Sequence, residues 1–123
     1  MRKIAATVIL AITLCGCSIQ TVEHPRIVSS YHLKASWYEC CKKTANGEKY
    51  NPEGMTAAHR SLKFGTRLRL TNPSNGKSVI VRINDRGPFI KGVDLDVSRG
   101  VAKHLDMIKK GHAILLVEQL AHD

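Results

Sequence analysis

Metal-ligand spacing is missing from this chain. Its six histidines are scattered, and its four cysteines fall in two pairs, Cys15 with Cys17 and Cys40 with Cys41. No spacing matches a zinc site, and no metal or organic cofactor is implied. The cysteines do not build a disulfide framework either. Adjacent Cys40 and Cys41 can close only a strained ring. A vicinal bridge, pairing between molecules and buried thiols remain open in an oxidising compartment. A membrane-spanning run is also lacking: the largely apolar stretch Ile4 to Leu14 is too short to cross a bilayer comfortably. Acids are scarce, 10 against 19 Lys and Arg, giving a formal charge of +9. Such a chain suits anionic partners, among them nucleic acid, anionic lipid and cell-wall polymer. Aromatics are few, 5% of residues, and neither an aromatic-rich RNA-binding pattern nor a helix-turn-helix appears. There are no internal repeats.

The N-terminus carries an address. Met1-Arg2-Lys3 is a basic head, and Ile4 to Leu14 fits the apolar centre of a secretory signal. Leu14-Cys15-Gly16-Cys17 looks like a lipobox, with Cys17 as the lipidated first residue of the mature protein. Residues 1–16 then form the signal, 17–30 a polar tether, and 31–123 a single domain. Cleavage removes Arg2 and Lys3 and leaves 107 residues at +7, enough for one core. Export argues against nucleic acid as partner. Ser18 follows where an Asp would favour inner-membrane retention, so the expected address is a lipid-anchored protein facing the periplasm, on the outer rather than the inner membrane.

The domain reads as mainly β. His32 to Tyr38 has strand character, and Glu39 to Glu53 is a polar loop with Asn-Gly and Asn-Pro turn signals. Thr56 to Leu62 suits one or two short helical turns. Arg67-Leu68-Arg69-Leu70-Thr71 alternates as a half-buried strand should, Asn72 to Gly76 turns, and Ser78 to Ile83 returns. Val93 to Val97 is a further strand, with Asp94 and Asp96 on one face. Ser98 can cap a helix reaching about Met107, Gly111 ends the connection, and Ala113 to Val117 reads as a buried last strand. Short strands at even spacing with one or two short helices predict a small closed β-barrel.

After the strand Ser78 to Ile83 comes Asn84-Asp85-Arg86-Gly87-Pro88-Phe89, an acid in a tight Gly-Pro turn. Turns that leave a rigid strand commonly present reactive side chains. With Ala35-Ser36-Trp37-Tyr38, Lys43 to Glu48, Thr56 to His59, Phe64-Gly65-Thr66, Asn75-Gly76 and Asp96-Val97-Ser98-Arg99, this block resembles, in order, the rare lipoprotein A (RlpA) family. The resemblance spans Lys34 to Val117. It implies a six-stranded double-psi β-barrel, export as a lipoprotein, and lytic transglycosylase activity on peptidoglycan, preferring glycan stripped of stem peptides. The same barrel also serves non-catalytic wall binding, so a peptidoglycan-binding or division-associated lipoprotein is the alternative. Two departures stand out. Glu39-Cys40-Cys41-Lys42 replaces a glycine-rich loop, and the SPOR module carried by many relatives is not expected before Asp123.

The resemblance also implies roles. A lytic transglycosylase protonates the glycosidic oxygen and lets the C6 hydroxyl of N-acetylmuramic acid attack its own C1. One carboxyl can act as acid and then base, and Asp85 matches that group. An acid must hold its proton near neutral pH, and an adjacent arginine opposes this. Arg86 therefore has to turn away. Glu48 and His59 match the second acid and the histidine of the site, and Asn46, Arg86 and Tyr38 are expected substrate contacts. Without the resemblance these are a turn cap, a solvated glutamate and a structural histidine. Asp96 is expected to be structural, accepting backbone hydrogen bonds near Ser98. Arg67, Arg69 and Lys77 form a candidate basic face.

Overall fold

A computed structural model describes Gly16, residues 23–39 and residues 42–122. The proposed lipidation site Cys17, most of the signal and tether, and the Cys40-Cys41 pair lie outside the described residues. Among the described residues there are six strands, β1 (Ile27–Tyr38), β2 (Thr56–Ala58), β3 (Arg67–Thr71), β4 (Ser78–Asp85), β5 (Leu95–Ser98) and β6 (His112–Leu120), with one helix, α1 (Arg99–His104), between β5 and β6. The strands close in the order β1-β5-β2-β4-β3-β6. Two neighbouring pairs, β1 with β5 and β2 with β4, run parallel. The other four are antiparallel.

Alternation fills the barrel. Leu68 and Leu70 of β3 and Val81 and Ile83 of β4 point inward, to meet Leu95, Val97, Leu115 and Val117. Arg69 points outward and forms a two-point ion pair with Glu118 on β6, at 2.9 and 3.1 Å. That pairing takes Arg69 out of the candidate basic face. Ser98 caps α1 by accepting from the Val101 N–H at 3.3 Å. Val101 and Ala102 then enter the core with Leu105 and Met107.

Four expectations change. Thr56–Ala58 is strand β2, not a helical turn, because it is completely buried between β4 and β5 and pairs with both. The tether is shorter than expected, since Ile27 to Ser30 already belong to β1 and pair with Leu120, Gln119 and Glu118 of β6. Helix α1 stops at His104, with Leu105 as its cap and Asp106 at a φ of 56°. The last strand is buried on one face only: Leu115 and Val117 are inside, while Ile114 is 54% exposed.

Candidate active site

The site is assembled where β1, β2, β4 and β5 lie side by side. Asp85 ends β4, and its carboxylate is an acceptor for three donors. The Tyr38 hydroxyl reaches Oδ2 at 2.9 Å. The backbone N–H groups of Ala45 and Arg86 both reach Oδ1 at 2.9 Å. Ala45 belongs to a short loop turned by Gly47 at a φ of 90°, a conformation glycine adopts without steric cost. That loop is closed by Thr44 N–H to the Glu48 carbonyl at 2.8 Å and docked on β4 by Asn46 N–H to the Asn84 carbonyl at 3.2 Å.

Arg86 satisfies the condition set by the sequence. Its guanidinium donates to the carbonyls of Leu62 at 2.7 Å and His59 at 3.2 Å. It also lies 3.9 Å from the centre of the Phe64 ring. The cation is therefore committed to the fold, away from the Asp85 carboxylate next to it in sequence. As an expected substrate contact, Arg86 is instead tied to the 59–64 turn.

Glu48 is held by a different set. Arg82 grips both its oxygens, at 2.5 and 2.6 Å, and Asn46 and Asn84 add side-chain amide bonds at 2.8 and 3.3 Å. The Arg82 hydrogen bonds, then that from Asn46, hold its carboxyl down at about 2. A carboxylate so held stays charged at neutral pH. Asn46 is fully engaged here, since its Oδ1 accepts from the Thr44 hydroxyl at 2.6 Å and the Glu48 N–H at 3.1 Å. Glu48 and Asn84 also line an open cleft of about 340 Å³ with Arg67, Arg82 and Thr56, but Asp85 is not among its walls.

His59 holds a turn together. Its Nδ1 accepts the N–H groups of Ser61 and Leu62 at 3.1 and 3.0 Å, so the proton sits on Nε2. Burial first, then the charges of Arg60 and Arg86, push its pKa below the usual value and keep it neutral. Its backbone N–H donates to the Asp85 carbonyl at 3.2 Å, which couples the turn to the strand carrying the acid.

Two arrangements are not evident in sequence. Tyr38 stands on the site, while Trp37 faces the core and donates Nε1–H to the Ile108 carbonyl at 3.2 Å. Strand alternation predicts that these neighbours face opposite ways, though not which of them meets Asp85. Burial, then the hydrogen bond to Asp85, raises the Tyr38 pKa well above its ordinary value, so the hydroxyl stays a donor. Asp96 takes its hydrogen bond from the Ser36 hydroxyl at 2.8 Å, where backbone partners near Ser98 were expected. Among the described residues, no group of three or more His, Cys, Asp or Glu is arranged to hold a metal ion.

The closed barrel with two parallel strand pairs and an acid at the end of β4 defines a double-psi β-barrel. Its fold is shared with the Streptomyces papain inhibitor, at a TM-score of 0.64 and 14% identity over 80% of this chain and all of that one. Cerato-platanin 3 from M. perniciosa also shares it, at 0.56 and 12% identity over 74% and 95%. The family described as lytic transglycolase matches residues 30–117, and the chain belongs to this RlpA-type double-psi β-barrel family. Similar relatives are the "Probable endolytic peptidoglycan transglycosylase RlpA" of Nostoc sp. (strain PCC 7120), 60% identical over 77% of this chain, and the "Endolytic peptidoglycan transglycosylase RlpA" proteins of Campylobacter jejuni and Neisseria meningitidis serogroup A, 47% and 45% identical over 68% and 70%. The matched region spans 28%, 32% and 37% of those relatives.

Proposed function

We propose that this protein is an endolytic peptidoglycan lytic transglycosylase. In this reading it cleaves the bond between N-acetylmuramic acid and N-acetylglucosamine and leaves 1,6-anhydro ends. The observation that carries the reading is the pose of Asp85, held by Tyr38, Ala45 and Arg86 N–H while the Arg86 cation is turned away. A carboxylate held by three fixed donors is pre-positioned at low reorganisation cost. It sits on the barrel wall, where a long polymer can reach it.

Asp85 exchanges protons with the sugar. The nucleophile is the C6 hydroxyl of the muramic acid, so no water enters the products. Glu48 and Asn46 fix the loop whose Ala45 N–H orients Asp85. His59 offers its Nε2–H as the remaining donor of its turn. The preferred substrate in this reading is glycan lacking stem peptides. The same reading places the protein on a lipid anchor at Cys17, facing the periplasm, with the outer membrane as its address. Among the described residues, no helix is long and apolar enough to cross a membrane.

Purified protein incubated with sacculi and with denuded glycan, followed by mass analysis, tests the reaction. Anhydro-muramic ends are expected from denuded glycan. Reducing muramic ends would make the protein a hydrolase, and no cleavage would favour a glycan-binding lipoprotein. Fatty-acid labelling that disappears in Cys17→Ala tests the anchor, and labelling that persists rules it out.

A further inference from the structure

Strand register puts a second carboxyl beside Asp85. Ser36 of β1 is opposite Asp96 of β5, Asp96 is opposite Ala58 of β2, and Ala58 is opposite Asp85 of β4. The β2–β4 register shifts between Ala57 and Ala58, which brings Asp85 rather than Asn84 into this row, and residues in one such row point to the same face of a sheet. Side-chain contacts fix which face. Ser36 and Tyr38 are two apart on β1 and share a side; Ser36 reaches Asp96 and Tyr38 reaches Asp85. Ala58 is the residue between the two acids in this row, and Tyr38 interacts with both. Two strand spacings put their backbones about 9.5 Å apart, and the charge of Asp85 acts on Asp96.

The two acids are held differently. Asp85 accepts three hydrogen bonds, two of them from backbone N–H groups that cannot turn away. Asp96 receives one, from a rotatable hydroxyl. Among the described residues, the titratable groups that interact with Asp96 are Asp85, Tyr38 and Tyr50. Both tyrosines are raised by burial and remain neutral, so they bring no cation to it. Burial raises the pKa of Asp96, the bond from Ser36 opposes that rise, and the charge of Asp85 adds a smaller one. Paired carboxyls whose surroundings differ in this way divide acid and base work between them.

Resting on the transglycosylase reading, we propose that Asp96 is a second catalytic carboxyl, the one that protonates the departing glycosidic oxygen, while Asp85 receives the proton of the C6 hydroxyl. The bond between C1 and the glycosidic oxygen breaks, its electron pair stays on that oxygen, and the oxygen takes the Asp96 proton. The bond between O6 and C1 forms, and the O6 proton passes to Asp85. Return of one proton from Asp85 to Asp96, past Ala58 or through solvent, restores the site. No water, oxidant or reductant is consumed.

Asp96→Asn separates this role from a structural one, because an asparagine oxygen still accepts from Ser36. On denuded glycan its kcat should fall about 10²–10⁴-fold, with glycan binding and the melting curve unchanged. On an aryl glycoside of the same sugars, whose phenolate leaves without a proton, most of the activity should remain. Equal losses on both substrates, or a loss below about threefold on glycan, would overturn the proposal. If Asp96→Asn does not fold, Ser36→Ala keeps the carboxyl and removes the bond that favours its charged form. The alkaline limb of its pH–rate profile should then move to higher pH, and an unmoved limb overturns the proposal. Absence of anhydro ends from the wild type overturns the transglycosylase reading as well, whereas the Asp96→Asn outcomes bear on Asp96 alone.

Discussion

The Tyr38 hydroxyl donates to Oδ2 of Asp85 at 2.9 Å, joining the end of β1 to the end of β4. The Tyr38 ring is fixed from the other side, where Tyr50 packs 5.2 Å away and donates its own hydroxyl to the Tyr38 carbonyl. The donor therefore meets the carboxylate without first having to be ordered, which is the condition for a hydrogen bond to contribute to catalysis.

Tyr38→Phe keeps the ring and removes only that donor. A hydrogen bond to a charged group contributes about 1.5–3 kcal/mol, so kcat on denuded glycan should fall roughly 10- to 100-fold. KM should change little and the fold should persist. Turnover equal to that of the wild type would mean that Ala45 and Arg86 N–H suffice to hold Asp85.

Glu48 sets an acid-sensitive contact. Its folded carboxyl lies at about 2, below its ordinary 4.5. A depressed carboxyl stabilises the fold above the ordinary value, and that contribution is lost as pH falls from about 4.5 through about 2. Its side chain is 37% exposed, and solvent screening keeps the effect to about 1 kcal/mol or less. Melting temperatures of wild type and Glu48→Gln should differ most near neutral pH and converge near pH 2. A constant gap would place the difference in the Asn46 and Asn84 bonds instead of the charge.

His59 is expected to act through its turn. His59→Ala removes the acceptor for two backbone N–H groups, a cost on the order of 1–3 kcal/mol. An asparagine at this position can accept the same pair, as such side chains do in turns. His59→Asn should therefore recover most of the stability lost in His59→Ala. In the wild type, ring nitrogen shifts at neutral pH should show Nδ1 unprotonated and Nε2 protonated. Nδ1 carrying the proton would contradict the assignment.

The hairpin β3–β4, the cap at Ser98 and the strand around Leu95 were legible because each has a local cause: alternation, a capping hydroxyl, a turn residue. Strand β2 was not, because Thr56-Ala57-Ala58 is too short to show a period and is a strand only by lying between β4 and β5. The early start of β1 is likewise a product of pairing with β6. At the site, the block Asn84 to Phe89 marked Asp85 from sequence. The partners that orient it were hidden, since Tyr38 and Ala45 are 47 and 40 residues away. Glu48 and His59 were visible as residues, but not the Arg82 grip or the turn that fixes what each can do.

Asp85→Asn gives the sharpest result. The amide has the same shape, and its oxygen can still accept from Tyr38 or from the backbone donors. It cannot take up a proton as a carboxylate does. Asp85 ends β4 beyond the register shift and is not part of the core that Val81 and Ile83 fill, so the barrel should fold with an unchanged melting curve. Loss of a positioned proton-transfer group costs about 10²–10⁴-fold in rate. Anhydro-ended products should fall by that factor on denuded glycan, while sedimentation with the same glycan continues. A variant that binds glycan and still cleaves it at the wild-type rate would remove Asp85 from the reaction.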